Sequence, residues 1–143
     1  MSIWTNHPTP ELIQTFSVNT LTENLGIEIT EVGDDFIRAT MPVDQRTVQP
    51  MRLLHGGASV ALAETLGSMA SFMLLEDMNK QSVVGVEINA NHLRAVREGG
   101  QVTGTVRPVR LGRTLHVWET KIEDEQGRLA CVSRLTVMVV ERG

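Results

Sequence analysis

The chain has 143 residues, of which 41% are hydrophobic and 21% are charged, and its formal net charge at pH 7 is -4. This length predicts a single domain over residues 1–143, and the composition is that of a globular protein rather than a disordered or fibrous one. Phosphate binding needs clustered Lys and Arg, so the negative charge and the lack of a basic run exclude nucleic acid as an expected partner.

The cysteine and histidine content bears on compartment and metal binding. Cys131 is the only cysteine, so no intrachain disulfide can form and a reducing compartment is favoured. It lies in an alternating segment without a neighbouring base, which indicates a small buried hydrophobe. Residues 1–8 lack the features of a secretion signal, so we expect a cytoplasmic protein. The four histidines show no metal-ligand spacing, and no metal site is expected.

The first elements in chain order form a helical lead-in over residues 1–25. Thr9 and Pro10 suit the N-cap and first position of a short helix, and Gly26 suits the end of a further helical turn. Residues 27–32 and 36–43 then alternate apolar and polar side chains on either side of a Gly-Asp-Asp turn. This pattern predicts a β-hairpin.

A loop over residues 44–52 leads into residues 53–75, where Glu64 is the only formally charged residue. The small and polar residues of this stretch predict a core helix rather than a membrane span. Burying an unpaired carboxylate is costly. We therefore expect Glu64 either to pair with an arginine, such as Arg94 or Arg97, or to act on a ligand.

The predicted helix has two distinct faces. One is an ordinary core seam, and the other is a narrow, weakly polar stripe that would let a backbone or a ligand approach closely. The core seam comprises Leu62, Leu66, Met69 and Met73. The weakly polar stripe comprises Gly57, either Val60 or Ala61, Glu64, Ser68 and Ser71.

His55, Gly56 and Gly57 lie at the expected start of this helix. Glycines there leave the first backbone N–H groups uncovered, and these groups are suited to binding a developing oxyanion, although a tight entry turn is the alternative. Glu64 lies about 12 Å further along, at a rise of 1.5 Å per residue. This separation is too large for one subunit, so a site that combines them requires a second chain.

Four extended segments follow the helix. They cover residues 82–93, 101–111, 114–123 and 128–140, with turn-like residues between them. The pattern predicts an antiparallel meander. Together, the hairpin, the helix and the meander predict an α+β unit in which the helix packs on one sheet.

Several motifs resemble those of a known family. They are QP at residues 49–50, LHGGAS at 54–59, AET at 63–65, GS at 67–68, VGVEINANH at 84–92 and GRLACVSRLT at 127–136. The chain resembles the hotdog-fold acyl-CoA thioesterases of the phenylacetate/4-hydroxybenzoyl-CoA type. The resemblance implies an antiparallel β-sheet wrapped around one long central α-helix, in a homodimer that forms the active site and assembles into a homotetramer.

The resemblance also implies roles for individual residues. Glu64 would be the catalytic carboxylate, acting either as nucleophile or as general base on water. Gly56 of the partner subunit would donate its N–H to the oxyanion, while His55 and Gln49 would orient the thioester and the water. Ser68 would position water or the acyl group.

Further residues would contact the acyl-CoA substrate. His92 and Arg94 would hold the CoA nucleotide, and strand alternation would place both on one face. The remaining predicted contacts are Gly85, Met51, Met69 and Phe72. Coenzyme A would be part of the substrate, so no cofactor is expected. The substrates implied are aromatic acyl-CoAs such as 1,4-dihydroxy-2-naphthoyl-CoA of menaquinone synthesis. The alternatives are an aryl-carrier-protein proofreading thioesterase and a non-catalytic acyl-CoA-binding protein.

Overall fold

One long helix packs on a six-stranded antiparallel sheet in the computed structural model, which describes all 143 residues. The predicted α+β class, a sheet with one central helix, is confirmed. The elements are α1 (Pro10–Thr15), α2 (Leu21–Asn24), β1 (Glu28–Val32), β2 (Ile37–Pro42), α3 (Gly56–Phe72), β3 (Gln81–His92), β4 (Gln101–Leu111), β5 (Leu115–Glu123) and β6 (Leu129–Glu141).

The N-terminal lead-in packs against the same core as the sheet. The Thr9 side chain accepts a hydrogen bond from the Leu12 N–H at 3.1 Å and so caps α1, as predicted. Trp4 stacks on Trp118 of β5 with ring centroids 6.3 Å apart, and its Nε1 donates to the Gly33 carbonyl at 2.7 Å. Because Trp4 is buried in the main hydrophobic cluster, the lead-in covers one side of that core.

The strand order in the sheet is β1-β2-β4-β5-β6-β3. The prediction that β3 begins a meander is wrong, because β3 pairs with β6 instead of β4. The free edge of β4 is taken by β2, and the segment between β3 and β4 passes the start of α3. There the Leu54 N–H donates to the Val96 carbonyl at 2.7 Å, so this segment braces the helix rather than forming a tight hairpin.

The helix α3 is shorter at both ends than residues 53–75. Leu53 and Leu54 form isolated bridges with Arg97 and Val48, which draws the entry segment into extended backbone, and His55 is the N-cap. The predicted core seam is confirmed for Leu62, Leu66 and Met73, which are fully buried, and Met69 is partly buried.

Two glycines allow α3 to approach the sheet closely. A side-chain carbon at Gly67 would lie 2.6 Å from Cδ2 of Leu135 on β6, and one at Gly104 on β4 would lie 3.0 Å from Cδ1 of Leu66. Real carbon atoms do not approach so closely in a packed core. The close packing of helix on sheet therefore depends on the absence of side chains at these positions.

Ser71 does not belong to the weakly polar stripe on which it was placed. It is fully buried, and its Oγ accepts a hydrogen bond from Nε1 of Trp118 at 2.7 Å and lies 2.9 Å from Nδ1 of His116. Burial lowers the pKa of His116, against a smaller raising effect from a hydrogen bond with the Gly112 backbone. Ser71 thus joins the end of α3 to β5 through a buried polar network.

Two further sequence predictions concern burial and membranes. Cys131 is buried on β6, and that burial raises the pKa of its thiol, in agreement with a buried hydrophobe. None of the helices has the length and apolar character needed to cross a bilayer.

Candidate active site

The chain entering α3 is held by backbone hydrogen bonds before the helix begins. The His55 N–H donates to the Thr47 carbonyl at 2.8 Å, and His55 itself has extended backbone angles of φ -69° and ψ 130°. Its imidazole Nδ1 accepts a hydrogen bond from the Gly57 N–H at 2.8 Å. The side chain therefore caps the helix that follows it.

Only one amide in the first turn of α3 lacks an acceptor within the chain. The N–H groups of Ala58 and Ser59 donate to the His55 carbonyl at 3.0 and 3.2 Å, and the Gly57 N–H is taken by the His55 ring. The Gly56 N–H forms no hydrogen bond. It is thus the one open donor at the positive end of a 17-residue helix, which is the arrangement that binds an oxyanion.

The capping bond also fixes the tautomer of His55. A ring nitrogen that accepts a hydrogen bond carries no proton, so Nδ1 is deprotonated in this arrangement and Nε2 carries the hydrogen. The neutral ring therefore presents Nε2–H as a donor. Gly57 permits this geometry, because a side-chain carbon there would lie 2.9 Å from Nδ1 and Cε1 of His55.

A cavity of about 370 Å³ opens beside Gly56. It brings together four residues that were predicted from separate parts of the sequence, namely Gln49, Gly56, His92 and Arg94. The other lining residues are Leu53, Leu54, Ser59, Leu93, Ala95 and Ala130. The cavity is therefore half apolar and carries its polar groups near the start of α3.

Gln49 is oriented by the turn that precedes the helix. Its side-chain oxygen accepts a hydrogen bond from the Met51 N–H, which leaves the amide NH₂ group to donate. Met51, predicted to contact substrate, is 78% exposed and does not line the cavity. The turn thus directs Gln49 into the site and Met51 toward solvent in the single chain.

His92 and Arg94 line the cavity but do not alternate on one strand as expected. β3 ends at His92, and Arg94 follows in a bend where its N–H donates to the Ala130 carbonyl at 3.3 Å. The strand ends there because the chain turns toward the start of α3 to reach Val96. The prediction of a shared strand face is wrong, although both residues reach the same cavity.

Glu64 lies two turns into α3 and does not line this cavity. Glu64 is a half-buried residue whose carboxylate forms no hydrogen bond or ion pair, so neither Arg94 nor Arg97 neutralises it. It faces β3, where a side-chain carbon at Gly85 would lie 3.7 Å from its Oε1. The carboxylate is therefore directed to the edge of the sheet with no partner in its own chain.

β3 is an edge strand of 12 residues. Val84 and Val86 on this strand are 46% and 54% exposed. A long edge with exposed apolar side chains and unpaired backbone groups is suited to pairing with another strand. Glu64 therefore lies against the strand at which a second chain would most readily add.

The other predicted contacts lie further along α3. Ser68 is half-buried one turn after Glu64. Met69 and Phe72 pack against the core, and Phe72 meets Phe16, the C-cap residue of α1, edge to face with ring centroids 5.4 Å apart. None of the three lines the cavity beside Gly56, and their roles stay predictions.

Ser59 is the one residue with a polar side chain in this cavity that was not predicted from the sequence. Ser59 is buried in the first turn of α3 and lines the cavity with Gly56. Residues three apart on a helix share a face, so the spacing from Gly56 to Ser59 was a usable signal.

Comparisons with known proteins establish the family of the chain. Residues 51–131 match the thioesterase superfamily. The chain is 56% identical over 138 residues to the proofreading thioesterase EntH of Cronobacter turicensis, with 96% of this chain and 98% of that protein covered. A crystal structure of a mutant thioesterase from Pseudomonas aeruginosa superposes with a TM-score of 0.94 at 45% identity, covering 99% of this chain and 100% of that one. A thioesterase from Haemophilus influenzae gives a TM-score of 0.92 at 50% identity, covering 97% and 95%.

Proposed function

This chain belongs to the thioesterase superfamily and is a thioester hydrolase with the hotdog fold, and on that premise we propose that it hydrolyses aromatic acyl-CoA thioesters. The observation that carries the proposal is the open N–H of Gly56, a residue that lines a cavity together with Gln49 and His92. In the proposal the thioester carbonyl oxygen accepts this N–H, and the hydrogen bond strengthens as negative charge develops on the oxygen.

The carboxylate in the proposed site comes from a second copy of the chain. Glu64 is too far along α3 to share a substrate atom with its own Gly56, but it lies against the open edge strand β3. Antiparallel pairing of two β3 strands would bring Glu64 of one copy toward the donors of the other. The proposal therefore requires a homodimer, and its assembly into a homotetramer is a further expectation.

Two chemical routes fit this arrangement. In one, a Glu64 oxygen attacks the carbonyl carbon, the C–S bond breaks with its electron pair leaving on sulfur, and water then hydrolyses the mixed anhydride. In the other, Glu64 takes a proton from water as the water oxygen attacks, and the same C–S bond breaks. His55 and Gln49 donate hydrogen bonds that hold the carbonyl or the water in both routes, and Ser68 is proposed to assist.

We propose an aromatic acyl group because the sequence resembles the hotdog-fold thioesterases that act on aromatic acyl-CoAs. The apolar character of α3 supports this choice. Met69 and Phe72 lie on the same helix as Glu64 and are proposed to contact the ring, together with the backbone at Gly85. Arg94 borders the cavity, is exposed and has no ion-pair partner, which suits a CoA phosphate. The specific substrate proposed is 1,4-dihydroxy-2-naphthoyl-CoA of menaquinone synthesis.

A second candidate is an aromatic acyl group carried by an aryl carrier protein. It is favoured by the 56% identity to a proofreading thioesterase. A carrier protein presents the same phosphopantetheine thioester as CoA, so the reacting groups would be the same. The two candidates differ only in what lies beyond the phosphate.

Thiol release measured across a set of thioesters tests the proposal. The set contains 1,4-dihydroxy-2-naphthoyl-CoA, benzoyl-CoA, octanoyl-CoA and a benzoyl group on an aryl carrier protein. We expect the highest kcat/KM for an aromatic CoA thioester, whereas a higher value for the carrier-bound benzoyl group would establish the second candidate. A ranking led by octanoyl-CoA would overturn the aromatic assignment.

A further inference from the structure

We propose that His92 contacts the reacting thioester rather than the nucleotide end of the substrate. The inference rests on the proposed function and assigns His92 a position next to the sulfur atom. It changes the role that the sequence predicted for this residue, which was to hold the CoA nucleotide.

The first observation is the close approach of the His92 ring to Gly56, the residue that carries the open amide. A side-chain carbon at Gly56 would lie 2.8 Å from Nε2 of His92, 3.1 Å from Cε1 and 3.3 Å from Cδ2. The tip of the imidazole therefore lies over the α-carbon of Gly56. In a thioester the sulfur is bonded to the same carbon as the carbonyl oxygen. When that oxygen is bound to the Gly56 N–H, the sulfur therefore lies within reach of the His92 imidazole.

The second observation is that the ring is available. Neither nitrogen of His92 forms a hydrogen bond within the chain, and the side chain is exposed at the cavity. Its backbone is held, because β3 pairs with β6 up to His92 opposite Cys131 and the Leu93 N–H donates to the Ala130 carbonyl at 2.8 Å. An unpartnered side chain on a fixed backbone is suited to contacting substrate.

Arg94 is placed differently. It lies two residues beyond the end of β3 and is not among the atoms that contact Gly56. Its longer side chain and permanent charge suit phosphate groups that lie away from the reacting bond. The two residues therefore contact different parts of the substrate, His92 the thioester and Arg94 the nucleotide.

The proposed chemical role of His92 is a hydrogen bond to the leaving sulfur. As the C–S bond breaks, its electron pair moves to sulfur, and an imidazole N–H directed at that atom stabilises the developing thiolate. The thiolate then leaves and takes a proton from solvent. No proton needs to be lost from His92, so the residue is ready for the next turnover.

A truncated substrate separates the two positions. Benzoyl-CoA and benzoyl-pantetheine carry the same thioester, but only the first has the nucleotide. We expect His92→Ala to lower kcat by about tenfold on both substrates, as the loss of one transition-state hydrogen bond would. We expect Arg94→Ala to raise KM for benzoyl-CoA and to have a much smaller effect on benzoyl-pantetheine. A His92→Ala defect that is present with benzoyl-CoA and absent with benzoyl-pantetheine would overturn the inference.

The contact with Gly56 supplies an independent test. The backbone at Gly56 is outside the left-handed region, so Gly56→Ala keeps the amide and the helix but pushes against the His92 ring. In a double-mutant cycle on benzoyl-pantetheine, Gly56→Ala combined with His92→Ala should be no slower than His92→Ala alone. If the double variant were slower than His92→Ala by the full factor that Gly56→Ala alone costs, the inference would be overturned. If the parent protein hydrolyses neither thioester, the proposed function fails and the inference fails with it.

Discussion

The imidazole of His55 accepts a hydrogen bond from the backbone N–H of Gly57, two residues further along the chain, with Nδ1 and N 2.8 Å apart. One nitrogen of the ring thus caps α3, and the other is left with its hydrogen to donate. The structural and the chemical contributions of His55 can therefore be separated by substitution.

Asparagine at position 55 should keep the cap and lose the donor. We expect His55→Ala to lower the free energy of unfolding by about 1 kcal/mol, because the N-cap is lost, and His55→Asn to lower it much less. Both variants should lose activity about tenfold or more, since neither places an N–H where Nε2 lies. Urea denaturation and steady-state thiol release check the two effects. An Asn variant with the parental rate would show that the ring only caps the helix.

Replacing Glu64 should abolish turnover without harming the fold. The carboxylate has no ion pair or hydrogen bond to lose, so Glu64→Gln should unfold at the parental urea concentration. Its rate should fall by about 100-fold or more, the size of effect typical for a catalytic acid or base. Glu76→Gln, just beyond the end of α3, is the matched control and should retain the parental rate. Parental turnover by Glu64→Gln would contradict the assignment.

A site shared between two copies predicts complementation. In a mixture of Glu64→Gln and His55→Ala subunits that exchange freely, half of the dimers are mixed, and each of these has one of its two sites intact. We therefore expect activity to rise from about 5% of the parental value or less to about a quarter of it after refolding the two together. Thiol release before and after co-refolding measures this rise.

The matched negative control pairs His55→Ala with Gln49→Ala. Both substitutions remove donors from the same half of the site, so a mixed dimer has no intact site and no activity should return. Recovery in this pair would show that the donors do not act together. No recovery in the first pair would place Glu64 and His55 in a site made by one copy.

Gly67→Ala should destabilise the protein although it improves helix propensity. Alanine gains about 1 kcal/mol over glycine in a helix. The added carbon would lie 2.6 Å from Cδ2 of the buried Leu135, and overpacking of this kind costs about 1–3 kcal/mol. We expect a net loss, measured by urea denaturation at fixed protein concentration, and partial recovery in a Gly67→Ala, Leu135→Val double variant. Additive losses in the double variant would contradict the close contact.

The buried His116 should make stability depend on pH. Its pKa in the folded state is lowered by burial, so the unfolded chain binds a proton at a higher pH than the folded chain does. The stability that the neutral His116 contributes to the folded state is therefore fully present above the unfolded pKa of about 6.5. It is progressively lost as the pH falls below that value. The charged residues that share its cavity are Glu76, Arg113 and Glu141.

Urea denaturation between pH 8 and pH 5 checks this dependence. We expect His116→Asn to flatten the acid side of the profile, even if its stability at pH 8 is lower than that of the parent. His7→Asn is the control, because His7 is exposed and its φ of 46° is one that asparagine tolerates. An unchanged acid slope in His116→Asn would show that another group is responsible.

Local sequence patterns predicted most elements of the fold, and the pairing of distant elements was not predictable in the same way. Strand alternation and turn residues located all six strands, and β4 agrees at both ends. The position of β3 beside β6 depends on contacts between segments far apart in sequence, which alternation does not contain. The helical wheel likewise could not show that the sheet would cover Ser71, because the width of the covered face depends on the fold.

The site was predictable to the extent that its residues carry their own local signals. The glycines at the start of α3 indicated open amides, and the structure leaves only that of Gly56 without an acceptor. Gln49 and His92 are 43 positions apart in the sequence, so only the fold could show that they line one cavity. The resemblance to hotdog thioesterases related these segments to one another, which spacing alone could not do.

The position of β3 at the edge of the sheet has a consequence for how the chain is made. During synthesis β3 emerges before β4 and β5, yet the only strand of its own chain with which it pairs is β6, the last to be completed. The strand with exposed valines on an open edge is thus also the strand with the longest delay between its own synthesis and that of its pairing strand. In a newly made chain β3 is therefore the segment most exposed to mispairing until β6 has been made and pairs with it.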